Sequence, residues 1–203
     1  IMQYNISPET LCESRHPSAS VEGLLGKRCE IDGKYSVAPN GAQYRKDKRG
    51  FLPEIMDKIY TERVVYKKKM IQAKDAYEKN PSAKLEKDIS KFNNIQMARK
   101  IQLNSAYGAI GNQYFRYYNL RNAEAITYGG QFSIRWIENK MNEYLNKILK
   151  TKGEDYVIAS DTDSIYLNMG PLVETVYKGR EKTDESVVTF LNKVSEMELE
   201  PYI

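Results

Sequence analysis

The sequence predicts an α+β fold in which amphipathic helices precede a small antiparallel sheet. From Ile55 to about Ile148, apolar and aromatic residues recur at the spacing of an α-helix. Beyond Gly153 the hydrophobic period changes from 3.6 to 2, as in half-buried strands. The expected architecture is therefore a helical hairpin, a long supporting helix and a partial antiparallel sheet.

The first helix is predicted to begin at Pro53 and to extend to about Ala76. Proline suits the first turn of a helix, and Glu54 there interacts favourably with the positive end of the helix dipole. The break at Asn80-Pro81-Ser82 ends this pattern, and a second amphipathic helix follows as far as Gly108. Two helices joined by a short connection form an antiparallel hairpin.

A long helix is predicted over residues 122–150, and two strands over residues 156–159 and 165–167 follow it. The polar run 160–164 would join these strands, with Gly170-Pro171 closing the hairpin and a last helix over residues 185–200. Before the helices, residues 1–50 are rich in turn signals. Short strands at 34–37 and 42–44 are expected around a Pro-Asn-Gly turn.

Composition excludes several classes of protein. The 203 residues are 41% hydrophobic and 29% charged, and no apolar run approaches the roughly 18 residues that a membrane span requires. No secretory signal pattern stands near the first residue. Two cysteines, Cys12 and Cys29, make no disulfide framework, so a reducing cytosol without membrane attachment is the predicted location.

The net charge of +4 is mild, but the basic residues are unevenly distributed. A cluster of this kind beside tyrosines is typical of a surface that meets phosphate, although a solvated helix face gives the same pattern. Its members lie within residues 45–74: Arg45, Lys46, Lys48, Arg49, Arg63, Lys67, Lys68, Lys69 and Lys74.

Asp161 and Asp163 are candidate metal ligands. They stand two residues apart between the predicted buried strands, where an extended backbone would direct both side chains to one face. Ordinary turn chemistry is the alternative, because Asp and Thr side chains bond their own backbone in turns. A Ca²⁺ loop would need later ligands and a glycine at its sixth position, which are absent. Paired carboxylates at a hairpin tip suit Mg²⁺.

A second constellation lies on the two helices of the predicted hairpin. Lys100, Asn104 and Tyr107 are spaced i, i+4 and i+7, which puts them on one helix face. Arg63 and Lys67 form a similar pair on the first helix. If the hairpin brings these faces together, arginine and lysine donors converge on a polyanion and match a triphosphate better than a single phosphate. An amphipathic helix with lysine on its polar face is the simpler interpretation of the same spacing.

These motifs together resemble family B DNA polymerases. Lys100 to Gly108 is similar to the motif B pattern K-x-x-x-N-S-x-Y-G of that family, and Asp161-Thr162-Asp163-Ser164 to its motif C. The opening Asn5-Ile6-Ser7-Pro8-Glu9-Thr10 resembles the segment that follows motif A. The run from Ala38-Pro39-Asn40-Gly41 through Arg63 and Lys67 resembles the entry to the fingers in the T-even phage branch. The resemblance covers most of the chain in the family's order and favours the functional interpretations over the simpler ones.

The resemblance implies a role for each matched residue. Asp161 would be a direct ligand of Mg²⁺ and Asp163 a more peripheral one. Arg63 and Lys100 would hold the phosphates of the incoming dNTP, with Lys67 and Asn104 in support. Tyr107 would lie against the nascent base pair. The implied reaction is attack of a primer 3′-hydroxyl on the α-phosphate by a two-metal mechanism.

The resemblance also implies an arrangement of segments. Residues 1–53 would connect palm and fingers after motif A, residues 54–108 would form the fingers hairpin, and residues 109–203 would belong to the palm. Partners would be primer-template DNA, dNTP and the remaining polymerase segments, namely exonuclease, motif A and thumb. A dimer through the exposed sheet edge is a further expectation. If the source is viral, the location would be the host cytoplasm.

Departures from the family pattern limit what these residues can do alone. Ala106 stands where the family often has leucine, and Ser160 where glycine usually precedes Asp-Thr-Asp. The motif A aspartate is not among the 203 residues, so we expect a split or cut polypeptide that is inactive by itself. The alternative function is a non-enzymatic module for nucleic-acid binding or assembly. An RNA-dependent polymerase is disfavoured, because its paired acids are usually adjacent.

Overall fold

The computed structural model describes residues 1–179 and 182–203. Within them the chain divides into two compact units, Ile1–Gly129 and Gly130–Ile203. The predicted α+β class is confirmed: long helices accompany two small antiparallel sheets. The functional segments predicted at 1–53, 54–108 and 109–203 stay a prediction, because compactness alone does not define them.

A three-stranded antiparallel sheet forms the base of the first unit. Strand β1 (Leu11–Arg15) pairs with β3 (Ala42–Tyr44), and β3 pairs with β2 (Ser36–Val37), giving the order β1-β3-β2. The predicted strand at 42–44 is confirmed, and the one at 34–37 is shorter than expected. Sequence patterns missed β1 and the five-residue helix α1 (Val21–Leu25), because both are short and lie in the turn-rich segment.

The predicted helical hairpin is present in the first unit. Helix α2 spans Phe51–Lys79 and helix α3 spans Ala83–Ile110. Helix α2 begins two residues before Pro53, which therefore lies in the first turn, where proline is tolerated. The Ser82 hydroxyl caps α3 by accepting a hydrogen bond from the Leu85 amide at 3.3 Å. Helix α3 continues two residues beyond Gly108.

The core of the first unit lies between the sheet and the start of helix α4 (Leu120–Leu149). Ile6, Ala38, Ala42, Tyr44 and Ala125 form a fully buried cluster there. At its edge the Tyr44 hydroxyl donates to Asn122 Oδ1 at 2.9 Å. Burial raises the pKa of Tyr44 well above its ordinary value, so this hydroxyl remains a donor at any physiological pH. The start of helix α4 is thereby fixed to the sheet.

The start of α2 is held by the segment that precedes β1. Asn5 Nδ2 donates to the carbonyls of Arg45 and Lys48 at 2.7 and 2.8 Å, and Asn5 Oδ1 accepts from the Gly50 amide at 2.9 Å. Glu9 Oε1 accepts from the Phe51 amide at 2.6 Å, so its charge sits at the positive end of the helix dipole.

The same contacts act on the ionisation of Glu9. Partial burial opposes its charge, but hydrogen bonds from the Ser7 hydroxyl and the Phe51 amide outweigh that effect, and the pKa of Glu9 is lowered. The carboxylate is therefore charged at neutral pH and satisfies one of the free amides at the start of α2.

The second unit contains the remainder of α4 and a two-stranded antiparallel sheet. Strand β4 spans Val157–Asp161 and strand β5 spans Ser164–Leu167. Asn142 and Asn146 of α4 bond the approach to β4: Asn142 Oδ1 accepts from the Tyr156 amide at 2.8 Å, and Asn146 Nδ2 donates to the Glu154 carbonyl at 2.7 Å.

The end of the chain is helical. Helix α5 (Gly170–Val176) begins at the residues that were predicted to close the strand hairpin. That prediction is wrong, because Pro171 occupies the first turn of a helix, where its fixed φ is favourable. Helix α6 (Asp184–Val194) is capped by Thr183 and passes through a π-helical turn, Ser195–Leu199, into α7 (Glu200–Tyr202). Across residues 1–179 and 182–203, no helix has both the length and the apolar character required to cross a bilayer.

Gly50→Ala tests the close packing at the start of α2. A Cβ at this position would stand 2.4 Å from Ser7 Cβ, so the clasp formed by Asn5 and Ser7 has to move. We expect the free energy of unfolding to fall by about 1 to 3 kcal/mol, as for other overpacked sites, in urea denaturation.

Gly130→Ala is the matched control. Its Cβ would meet no atom within 4 Å in the middle of α4, so stability should rise by about 0.5 to 1 kcal/mol through helix propensity. Equal effects of the two substitutions would contradict the packing described at Gly50.

Candidate nucleotide-binding face and acidic turn

The candidate cationic site is built on the packing of α2 against α3. Phe92 of α3 meets Tyr66 of α2 with ring centroids 6.2 Å apart, and Gln96 is buried about one turn further along α3. Beyond Gln96, Arg99 Nε lies 2.7 Å from Glu62 Oε2 of α2. These pairs fix the register of the antiparallel hairpin.

The Glu62–Arg99 pair also shows where the predicted ligands lie. Both helices are right-handed, and they run in opposite directions. The residue that follows each partner of the ion pair is therefore rotated by about 100° around its helix axis, toward the same flank of the hairpin. Arg63 and Lys100 are those next residues. Lys67, Asn104 and Tyr107 follow at i+4 or i+7 from them and share that flank. We call this surface the cationic flank: Arg63, Lys67, Lys100, Asn104 and Tyr107.

Helix rise gives the order along the cationic flank. At about 1.5 Å per residue, Arg63 and Lys100 are offset by roughly 3 Å along the hairpin, on either side of the ion pair. Lys67 stands about 6 Å beyond Arg63, and Asn104 about 6 Å beyond Lys100 in the other direction. Three cations therefore stand in a row that ends in an amide and an aromatic ring.

The side chains of the cationic flank differ in exposure. Lys67, Lys100 and Asn104 are exposed, whereas Arg63 is half-buried. The Nε atom of Arg63 is buried, and no residue within 1–179 or 182–203 accepts a hydrogen bond from it. Buried donors are usually paired, so the hydrogen bonding of Arg63 is incomplete within the described residues.

Tyr107 ends the cationic flank and is tied to α4. Its hydroxyl lies 3.1 Å from Thr127 Oγ1, and Thr127 Oγ1 donates to the Ala123 carbonyl at 3.1 Å. Because the threonine proton is used in that bond, Tyr107 is the donor to Thr127. The side chain is 47% exposed, so the ring remains accessible although its hydroxyl is bonded to α4. Sequence patterns missed Thr127, since nothing in its spacing marks it.

The acidic turn is formed by Asp161, Thr162 and Asp163 between β4 and β5. Asp161 ends β4, and Thr162 has a positive φ of 52°. The Asp163 amide donates back to the Asp161 carbonyl at 2.6 Å, and the Thr162 hydroxyl donates to Asp161 Oδ1 at 2.9 Å.

Two expectations about the acidic turn were wrong. The backbone is not extended at Thr162, so the period-2 argument for a common face does not apply. The flanking strands are also not buried: Ile158 is 72% and Tyr166 60% exposed. A two-residue turn accommodates the left-handed residue. Ile158 and Tyr166 lie on an exposed face of the hairpin, whereas Ile165 and Leu167 on the other face are half-buried.

The acidic turn nevertheless offers carboxylate ligands that suit Mg²⁺. Both carboxylates are exposed, and among the described residues none donates a hydrogen bond to the Asp163 carboxylate. Hard carboxylate oxygens are the ligands that Mg²⁺ takes in proteins, with water and phosphate completing its shell. In residues 1–179 and 182–203, no group of three or more His, Cys, Asp or Glu side chains is gathered as a metal site.

Comparisons with known proteins agree with the motifs. The family model for DNA polymerase family B matches residues 1–201. The chain is 34% identical over 248 residues to the DNA-directed DNA polymerase of Enterobacteria phage T4, and 32% identical over 244 residues to that of Escherichia phage RB69. Each match covers 100% of this chain and 27% of the relative, so the chain spans about a quarter of the length of these phage proteins.

More distant relatives give the same result. The DNA polymerase of Thermococcus gorgonarius is 31% identical over 204 residues, which is 100% of this chain and 22% of that protein. A solved structure of the family B DNA polymerase from Pyrobaculum calidifontis covers 97% of this chain and 20% of its own, with a TM-score of 0.52 and 24% identity. That likeness shows the fold.

A double-mutant cycle on Glu62 and Arg99 tests the register of the hairpin. Both side chains are about one-third exposed, and removal of one leaves the other at a helix interface. We expect a coupling of about 1 kcal/mol between Glu62→Ala and Arg99→Ala in urea denaturation.

The exposed pair Arg45–Asp47 serves as the control. Its side chains are 54% and 61% exposed, so water and salt screen the attraction and its coupling should be indistinguishable from zero. If the Glu62–Arg99 coupling is equally small, the ion pair does not hold the two helices in register.

Proposed function

Since the chain belongs to DNA polymerase family B, we propose that it supplies the fingers and part of the palm of a DNA-directed DNA polymerase. The observation that carries the proposal is the cationic flank, where residues of two antiparallel helices stand in one row. In this proposal the chain binds the incoming dNTP and contributes carboxylates to the site of nucleotidyl transfer to a primer 3′-hydroxyl.

The proposed ligand of the cationic flank is the triphosphate of the dNTP. Arg63 presents a planar fork for phosphate oxygens, and Lys67 and Lys100 add point charges on either side of it. The amide of Asn104 donates without charge. Several negative charges in a chain match this row better than a single phosphate does, because one phosphate would leave two of the cations unpaired.

Tyr107 makes the two ends of the cationic flank different. Its ring stands at one end, beyond Asn104, and is oriented by the bond to Thr127. A nucleotide with its phosphates on Arg63 and Lys100 would therefore place its base toward Tyr107. An aromatic face with a fixed edge is suited to packing against a base pair.

The acidic turn is the proposed metal site of the palm. Asp161 and Asp163 would hold Mg²⁺, which when bound stabilises negative charge that develops on phosphoryl oxygens. The chain's own part is to present two carboxylates on a tight turn. The Asp163 amide closes the backbone of this turn, and the Thr162 hydroxyl donates to the Asp161 carboxylate. The cations of the fingers neutralise the phosphates and thereby favour departure of pyrophosphate.

The proposed macromolecular partners are primer-template DNA and further polymerase segments. Strands β4 and β5 are largely exposed, and Ile158 and Tyr166 offer apolar surface for such segments. Dimerisation through this sheet edge stays a prediction. Nucleic-acid binding without catalysis remains the alternative function, and substitutions on the cationic flank separate the two.

Substitutions on the cationic flank should weaken nucleotide incorporation. In an otherwise intact polymerase that carries these 203 residues, we expect Lys100→Ala and Arg63→Ala each to reduce transition-state stabilisation by about 2 to 4 kcal/mol, because charge-assisted contacts to phosphate are lost. Single-turnover incorporation measures kcat/KM for the dNTP.

Lys91→Ala is the matched control, since this lysine is exposed on the opposite flank of α3. It should leave kcat/KM within about twofold of the parent. Near-parental incorporation by Lys100→Ala or Arg63→Ala would contradict the proposed binding mode. Loss of duplex binding by these two variants, with no preference for triphosphate, would instead favour the nucleic-acid-binding module.

We also propose that this polypeptide by itself does not extend primers. Two-metal transfer takes carboxylates from both sides of the metal pair, and Asp161 and Asp163 come from one hairpin. We expect no extension by the purified chain with Mg²⁺ and all four dNTPs, and extension on addition of a polypeptide with the motif A aspartate. Extension by the chain alone that Asp161→Ala abolishes would show this proposal to be wrong.

A further inference from the structure

A cysteine, a histidine and a serine meet on the first unit, away from the cationic flank. His16 follows β1, and Cys29 follows α1. Cys29 Sγ lies 3.5 Å from His16 Nδ1, and the Ser18 hydroxyl donates to Cys29 Sγ at 3.8 Å. Both the thiol and the imidazole are half-buried, so the group is accessible from solvent.

The hydrogen bonds decide which nitrogen of His16 carries the proton. His16 Nε2 lies 2.9 Å from the Glu30 carbonyl, which can only accept, so Nε2 is the donor. In the neutral ring Nδ1 is then an acceptor, and the Ser18 amide donates to it at 3.4 Å. The single lone pair of Nδ1 is therefore shared between the Ser18 amide and the thiol of Cys29, and Nδ1 is the base within reach of the thiol proton.

We propose that Cys29 is a modification site whose thiol, activated by His16, exchanges with small anionic disulfides of the oxidised glutathione type. The anionic preference follows from charge, because exposed Lys27 and Arg28 directly precede Cys29. This site is independent of the proposed polymerase function, since it uses none of the cationic flank or the acidic turn.

The exchange balances without a further oxidant. The Cys29 proton passes to His16 Nδ1, and the thiolate attacks one sulfur of the disulfide. A new S–S bond forms between Cys29 and one half of the reagent as the reagent's own S–S bond breaks. The other half leaves as a thiolate and takes the proton from His16. The Ser18 hydroxyl donates to the sulfur while it carries charge.

Cys12 is the internal control for this proposal. It is also half-buried and shares a pocket with three cations, Lys34, Arg45 and Lys46, and with Asp47, which is paired with Arg45. Its own hydrogen bond goes to the Thr10 carbonyl at 3.9 Å, which is an acceptor and no base for its proton. A comparison of Cys29 with Cys12 therefore isolates the imidazole from the charge of the surroundings.

The test is incubation of the full chain with oxidised glutathione, with each cysteine quantified by peptide mass spectrometry over time. We expect Cys29 to be modified about ten times faster than Cys12, and His16→Gln to remove most of that difference while Ser18→Ala reduces it about twofold. Equal rates for the two cysteines, or an unchanged Cys29 rate in His16→Gln, would overturn the proposal.

A second measurement, made on the parent chain, tests the role of His16 even if His16→Gln does not fold. In concentrated urea the two cysteines should react at rates within about twofold of each other, because the contact between Cys29 and His16 is lost. A preference for Cys29 that persists undiminished in urea would come from its sequence neighbours, and the role of His16 would be excluded.

Discussion

The register between α2 and α3 is the constraint on which the cationic flank depends. The five residues of this surface come from two helices, and only their antiparallel alignment makes them one row. The Glu62–Arg99 ion pair and the tilted contact between the Tyr66 and Phe92 rings set that alignment inside the hairpin. A slip by one turn would move the two halves of the row about 5 Å past each other. The charges would then remain, but their spacing would no longer match one chain of phosphates.

The structure uses short polar segments where the sequence shows little hydrophobic signal. Asn5, with a positive φ of 58°, bonds three backbone groups beyond β3, and Glu9 satisfies the first amide of α2. Asn122 and Tyr44 bond each other inside the core. These residues explain why a turn-rich beginning, which lacks long apolar runs, still forms a defined base: side chains bond several of its buried polar groups in place of long strands, although Asn122 Nδ2 has no partner among the described residues.

Sequence reasoning reached the long helices and the strands β2 to β5, but it missed β1 and α1. The periods of α2, α3 and α4 predicted these helices to within a few residues, because each has many turns of repeated pattern. Strand β1 was missed because five residues with mixed polarity carry no such signal. The one-face argument for Asp161 and Asp163 failed because a single left-handed residue between them, Thr162, depends on the turn and not on hydrophobic period. The partner of Tyr107 could not be predicted, since Thr127 is remote in sequence and unmarked by type.

Asn5, Ser7 and Glu9 bond the start of α2, so a change in these contacts can alter the direction of the whole helix. Asn5, Ser7 and Glu9 hold its first residues, whereas Lys67 lies about 24 Å further along the axis. A rotation of about 10° at the held end displaces the level of Lys67 by roughly 4 Å, more than the length of a hydrogen bond. Small rearrangements among three side chains that precede β1 would therefore shift the distant cations by more than the tolerance of a hydrogen bond, which would matter for the proposed binding of phosphate. The positions of the distant cations therefore also depend on the hydrogen bonds at the start of α2.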